Sequence, residues 1–378
     1  MGPLQGIKVV EIRGIGPGPY AGMLLADMGA DVIVVDRTSG PPTLGIPASA
    51  DINCRNKRSI ALNLKAPAGL DVLLRLVGRS DVLFEGFRPG VAERLGFGPD
   101  ACRAINKRLV YGRLTGWGQA GPLAQAAGHD INYISITGAL AAIGAATKPT
   151  LPLNLVGDYA GGSLFLVVGI LAALLNAKQT GEGQVVDAAI TDGSASLMSV
   201  FHGLHNAGFW RTDRQANLLD GAAYYYDVYE TSDGKFISVG ALEPQFYAEL
   251  VERAGLDEDV FGHQAGPEDW PRLKQALSRV FKTKSQQQWC DLLEGSDACV
   301  APVFDFVEAP AHPHNIARNT YINIAGVNQP APAPRFSRTV CADPVPPHRE
   351  GADTDAILTE LGFDEAGIAA MRSSGVLT

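Results

Sequence analysis

Two short, largely apolar runs close to the start of the chain limit what it can become. Gly6–Glu11 (GIKVVE) and Ala30–Asp36 (ADVIVVD) read as strands. Between them lie a turn, Gly14–Pro19 (GIGPGP), and a helix with a small-residue face, Tyr20–Met28. A strand, a glycine turn, a helix and a second strand ending in an acid outline a mononucleotide-binding βαβ unit. The dinucleotide fingerprint is absent. The glycines lack GxGxxG spacing, and Pro17 and Pro19 carry no amide hydrogen for a phosphate cradle.

The alternation continues. Strands are expected at Ser59–Leu64, Asp81–Glu85 and Leu109–Leu114, and helices at Pro67–Val77, Val91–Leu95 and Pro99–Asn106. Such spacing favours a mostly parallel sheet covered on both faces. The glycine-rich Thr115–Gly121 ends a strand at the sheet edge where ligands gather in open α/β folds. An apolar helix is expected at Ser163–Ala177, a turn and strand at Gly181–Asp187, and a long helix at Ala188–Asn206. The texture then changes. Tyr224–Glu230 and Lys235–Val239 flank Ser232-Asp233-Gly234, a hairpin signal, and helices follow at 244–253, 270–280 and 285–294. At 378 residues the chain exceeds one compact core. The expected division is a first part of a large domain at 1–208, a linker at 209–221, a smaller α+β domain at 222–320, and a return to the large domain at 321–378 through Gln329–Pro334 (QPAPAP) and a closing helix at 352–361.

A formal net charge of −9 argues against nucleic acid as a partner. No basic-plus-apolar leader opens the sequence, and the apolar run at 163–177 is shorter than a bilayer span. The five cysteines are scattered, odd in number and without a CxxC, which fits a reducing, cytoplasmic location.

Two titratable groups stand out in a stretch with little other charge: His129 in Gly-His-Asp and Asp158 in Gly-Asp-Tyr-Ala-Gly-Gly. Asp158 lies where a loop passes into the apolar helix, so it can cap that helix or present its carboxylate to a ligand. A histidine and a carboxylate in glycine-rich, apolar surroundings can also exchange protons with a substrate. The plainer alternative is a core histidine and an ordinary helix cap. Arg37, the RNKR cluster at 55–58 containing Arg58, and Arg88 all lie next to strand ends in an acidic chain. Arginine's planar donors suit phosphate, and together these positions suit an adenine nucleotide tail. His312-Pro-His314 lacks a convincing third ligand, so no metal is expected.

Longer motifs then point to a family. LQGIKVVEIRGIGPGPYAGMLLADMGADVIVVDR, NKRSIALNLK, DVLFEGFRPGVAERLG, YGRLTGWGQAGP, AGHDINYISITG, PLNLVGDYAGGS, GEGQVVDAAITDG, VGALEPQFYAEL and DACVAPV occur in order, with APAPRFSRT beyond them. In these the chain resembles the α-methylacyl-CoA racemases of the family III CoA-transferase superfamily. The resemblance implies an α/β fold: a Rossmann-like large domain formed from both ends of the chain, a smaller α+β domain, and two subunits interlocked as a homodimer. It places His129 and Asp158 on the racemase acid/base pair and Glu243 on the small-domain glutamate that orients the histidine. Arg37, Arg58 and Arg88 fall in segments that hold the CoA phosphates.

The implied reaction interconverts 2-methylacyl-CoA epimers, an isomerase step in lipid metabolism. One group takes the α-proton, and the other returns one to the opposite face. No cofactor is required, CoA being the carrier part of the substrate, and amide hydrogens at the start of the 159–177 helix are candidates to face the enolate oxygen. Met23, Met28, Met198 and Tyr224–Tyr226 are candidates for the acyl surface. Two alternatives stay open at this point. One is a CoA-transferase with Asp158 as nucleophile; the other is a non-catalytic acyl-CoA-binding protein.

Overall fold

The computed structural model describes residues 2–39 and 45–378. They form two compact units. The first comprises 2–39, 45–137, 153–197 and 321–378, and the second 138–152 and 198–320.

The first unit is built on a six-stranded sheet. Its strands are β1 (Lys8–Ile12), β2 (Asp31–Asp36), β3 (Arg58–Ala61), β4 (Val82–Glu85), β5 (Val110–Thr115) and β6 (Val185–Ala189). The order across the sheet is β3-β2-β1-β4-β5-β6, and every neighbouring pair is parallel. This is the doubly wound arrangement, in which the strand order reverses between β1 and β4. The βαβ opening is as the sequence implies: helix Pro17–Asp27 joins β1 to β2, and β2 and β4 are nearly uniformly buried because helices cover both faces.

The two ends of the chain meet on this sheet. Helices Thr354–Glu360 and Glu365–Ser373 place Ile357, Leu358 and Ile368 in one apolar cluster with Val10, Ile33, Ile60 and Leu73. Leu62 forms an isolated antiparallel bridge with Leu377, and the Ser59 amide donates to Asp353 Oδ2 at 2.9 Å. A hairpin, Tyr321–Ile324 and Val327–Pro330, precedes them and is tied to Arg55 through Gln329.

Three elements differ from the sequence reading. The apolar helix starts earlier: a π-helical segment, Leu155–Leu164, runs into an α-helix, Phe165–Thr180. The continuous 26-residue stretch is long and apolar enough to cross a bilayer by length and composition. Half of its most apolar 18-residue window is buried, however, and Leu166, Ile170 and Ala173 join Val110, Leu114 and Ala188 of the sheet in one core cluster. The long helix expected at 188–206 is two helices, Ile190–Leu197 and Ser199–Asn206, broken at Met198. Finally, 138–152 and 198–208 cluster with the second unit, and 209–221 lies within it.

The second unit carries a three-stranded antiparallel sheet, Val300–Val303, Phe236–Gly240 and Tyr226–Glu230 in that order. Helices Pro244–Ala254, Trp270–Phe281 and Gln286–Leu293 belong to the same unit. Its core is aromatic, with Tyr224, Tyr229, Phe281 and Trp289 nearly or fully buried. Tyr224 and Tyr225 are therefore core residues of this unit. Met23 and Met28 are likewise buried in the first unit. Only Met198 and Tyr226 among the candidate acyl contacts retain partial exposure.

Candidate active site

In doubly wound sheets ligands bind outside the carboxyl ends of the strands, at the point where the order reverses. A cavity of about 760 Å³ lies there in the first unit. Arg13–Gly18 follow β1, Asp36 and Arg37 end and follow β2, Gly86–Pro89 follow β4, and Leu114–Trp117 end and follow β5. His129 and Asp158 both line it.

His129 is exposed and precedes helix Asp130–Ser135, its backbone N–H donating to Asn132 Oδ1 at 3.0 Å. The loop before it is held by aromatic packing. Tyr133 meets Trp117 edge-on with ring centroids 4.8 Å apart, and its hydroxyl donates to the Gly128 carbonyl. Asp158 is half-buried in the π-helical segment, a rare geometry concentrated at functional positions. Its carboxylate lies against Gly16, where φ is +68° and an added Cβ would stand 3.1 Å from Oδ2. A side chain at Gly16 would be strained in that conformation and would crowd the acid.

Burial raises the Asp158 carboxyl above the usual range, and the nearby Asp130 carboxylate adds to this. The Asn154 side chain, which donates at 3.4 Å, and His129 pull in the opposite direction. The balance favours an acid that keeps a proton more readily than a free aspartate.

The other predicted residues divide. Arg37 and Arg88 line the same cavity, and both are exposed. Arg88 is carried on a turn anchored by Glu85, whose Oε2 accepts from the Phe87 N–H at 2.6 Å. Burial pushes the Glu85 carboxyl up to about 7, against the opposing pull of the Phe87 amide and Arg113. Arg58 does not line the cavity. It opens β3 at the amino end of the strand, away from the ligand edge, and pairs with Asp31 at 2.7 Å and Glu360 at 2.8 Å. Its neighbours Arg55 and Lys57 are buried in pairs with Asp27 and Glu11, both at 2.6 Å. The charged residues of the RNKR cluster are thus engaged in ion pairs within the first unit, outside the lining of this cavity.

Asp36 also accepts from Arg13 Nε and Ser59 Oγ, each at 2.5 Å. The first amides of the Asp158 helix are not available to an enolate. The Asp158 N–H donates to Asp130 Oδ2 at 2.6 Å and the Tyr159 N–H to the Asn154 carbonyl at 3.2 Å.

In the second unit Glu243 is exposed at the start of helix Pro244–Ala254, and its side chain makes no capping bond there. His312 pairs with Glu294 at 2.5 Å. The sequence reading passed over Asp130, Tyr133, Trp117 and Glu85. Asp130 had a visible signal, standing next to His129 in Gly-His-Asp, whereas Glu85 reads only as the last residue of an apolar strand.

The pattern of CoA-transferase family III matches residues 4–354. The chain belongs to this family. The human alpha-methylacyl-CoA racemase is 42% identical over 380 residues, covering 99% of this chain and 97% of that protein. The mouse alpha-methylacyl-CoA racemase is 40% identical with the same coverage. A CAIB/BAIF family protein from Brucella suis has a crystal structure that superposes with a TM-score of 0.82 at 26% identity, covering 95% of this chain and 99% of that one.

Proposed function

We propose that the protein is an isomerase that interconverts the (2R) and (2S) epimers of 2-methylacyl-CoA thioesters through an enolate, a step of lipid metabolism. The observation that carries this reading is that His129 and Asp158, the two groups of the racemase pair, line one cavity. The identity of 42% to the human racemase supports it. A histidine that accepts a proton and an acid held in its protonated form by burial make a workable opposed pair. Each acts as base in one direction and as acid in the other. A transferase needs only the aspartate, as a nucleophile; the histidine lining the same cavity is what favours racemisation.

The carrier is CoA, with Arg37 and Arg88 the cations at the cavity for its phosphates. Glu243 is proposed to orient the His129 ring in a homodimer, which sedimentation at micromolar concentration reads directly; a stable, active monomer would remove that role. Replacing Arg88 by alanine is expected to raise KM more than it lowers kcat, while Arg58→Ala leaves KM unchanged. Equal effects from the two variants would mean that the cavity does not place the CoA phosphates.

The deciding experiment is incubation with a single 2-methylacyl-CoA epimer and no acceptor acid. Epimerisation, with deuterium entering the 2-carbon in heavy water, is the expected result. Reaction only after an acceptor acid is added would make the protein a transferase, and no reaction across several chain lengths would leave it an acyl-CoA binder.

A further inference from the structure

We propose that Asp130 is a positioning residue for the proton-transfer pair: its buried carboxylate ties the main chain at Asp158 to the residue that follows His129, and so sets both the spacing and the charge balance of the two groups. The inference deepens the racemase reading and, for its rate effects, rests on it.

Asp130 is 7% exposed. Its Oδ2 accepts the Asp158 N–H at 2.6 Å, and the Gly157 amide also favours its charged form. Its Oδ1 is buried and has no hydrogen-bond partner among the described residues. Leaving one carboxylate oxygen unpaired in the interior is costly, so the group is not there to stabilise the fold at least cost. Gly157 is shaped to this contact, since an added Cβ would stand 2.3 Å from Oδ2. The π-helical segment also widens the backbone where Asp158 sits, and Asp130 takes up the amides of that turn. His129 and Asp158 come from segments 29 positions apart, and this hydrogen bond links the side chain of the residue after His129 to the Asp158 main chain.

The charge acts in a definite direction. The titratable groups facing Asp158 are His129, Asp130 and Tyr133, and Arg88 in turn faces Tyr133. Burial raises the Asp130 carboxyl as well, against the pull of the Asp158 and Gly157 amides; in its ionised form Asp130 disfavours ionisation of Asp158 and keeps the proton that must be delivered. Removing that charge lowers the Asp158 pKa, so the acid limb of kcat/KM moves to lower pH.

The test uses the full-length protein with Asp130→Asn and Asp130→Ala. D130A loses both acceptor and charge, and its kcat is expected to fall about 10²-fold, the scale of a roughly 1 Å misplacement of a reacting group, with KM little changed. D130N keeps an acceptor for the amides, so it should recover most of that loss while its acid limb shifts to lower pH. Competition by free CoA checks that each variant retains the cavity. Amide hydrogen exchange across 157–158 reads the tie without turnover. It should quicken in D130A and stay slow in D130N, and this holds even if the wild-type protein does not epimerise. Wild-type exchange in D130A, a wild-type kcat in D130A, or an unmoved acid limb in D130N would overturn the proposal. Absence of epimerisation by the wild type would overturn the racemase reading alone.

Discussion

Replacing Asp158 by alanine is expected to slow epimerisation of either 2-methylacyl-CoA epimer by about 10²–10⁴-fold, the range for a positioned general acid or base. The residue lines the cavity with a carboxyl raised by burial, and His129 is among the charges that act on it. Substrate affinity should change far less, because Asp158 is expected to touch the α-carbon and not the CoA tail. His129→Ala should produce a loss of the same order. Each variant retains the group on the other face, so hydrogen–deuterium exchange without inversion can survive in either. Chiral chromatography of the thioester, with mass spectrometry of the 2-deuterio product, separates the two processes. A D158A protein that epimerises at the wild-type rate would remove the aspartate from the mechanism altogether.

The second large effect concerns stability. Lys57 Nζ donates to Glu11 Oε2 at 2.6 Å and to the Pro19 carbonyl at 2.8 Å, with side-chain exposures of 1% for the lysine and 0% for the glutamate. Burial raises the Glu11 carboxyl, and Lys57 is the main opposing influence. Glu11 Oε1 has no partner among the described residues, so the lysine carries nearly all of the compensation. Lys57→Met should therefore cost about 3–5 kcal/mol, the typical result of stranding one member of a buried pair. The double variant Glu11→Leu/Lys57→Met should regain much of that, since a buried pair can be exchanged for apolar packing at little net cost. Urea midpoints of the three proteins decide it. A single variant as stable as the wild type would show that water reaches the pair.

How much of this was legible beforehand depended on where the information lies in the chain. The strands at β1, β2 and β4 were readable because each is a short apolar run bounded by a turn, and the parallel order follows from the helices between them. The pair His129 and Asp158 was readable because titratable residues are rare in that stretch. Arg58 misled for a physical reason. Proximity to a strand end does not say which end, and Arg58 sits at the amino end of β3, facing Asp31 and Glu360. The acids that bind RNKR come from positions 11, 27, 31 and 360, and no local pattern announces such pairings. Met23, Met28, Tyr224 and Tyr225 illustrate the same limit, since a flexible or aromatic side chain serves a core as well as a ligand surface. The π-helical turn at Asp158 was also invisible, because the one-residue widening leaves the apolar periodicity almost unchanged.

The joining of both chain ends on one sheet has a consequence for synthesis. Val10, Ile33 and Ile60 emerge from the ribosome some three hundred residues before Ile357, Leu358, Ile368 and Leu377, which close over the same cluster. For most of translation that flank of the β3 side is uncovered apolar surface, and the second unit, lying wholly within 138–320, can be complete before the first is. The nascent chain therefore passes through an interval, from residue 320 to the closing helices, in which the smaller unit can be finished and the larger one is not. That interval is when a chaperone has something to hold, and it ends only with residues 354–377.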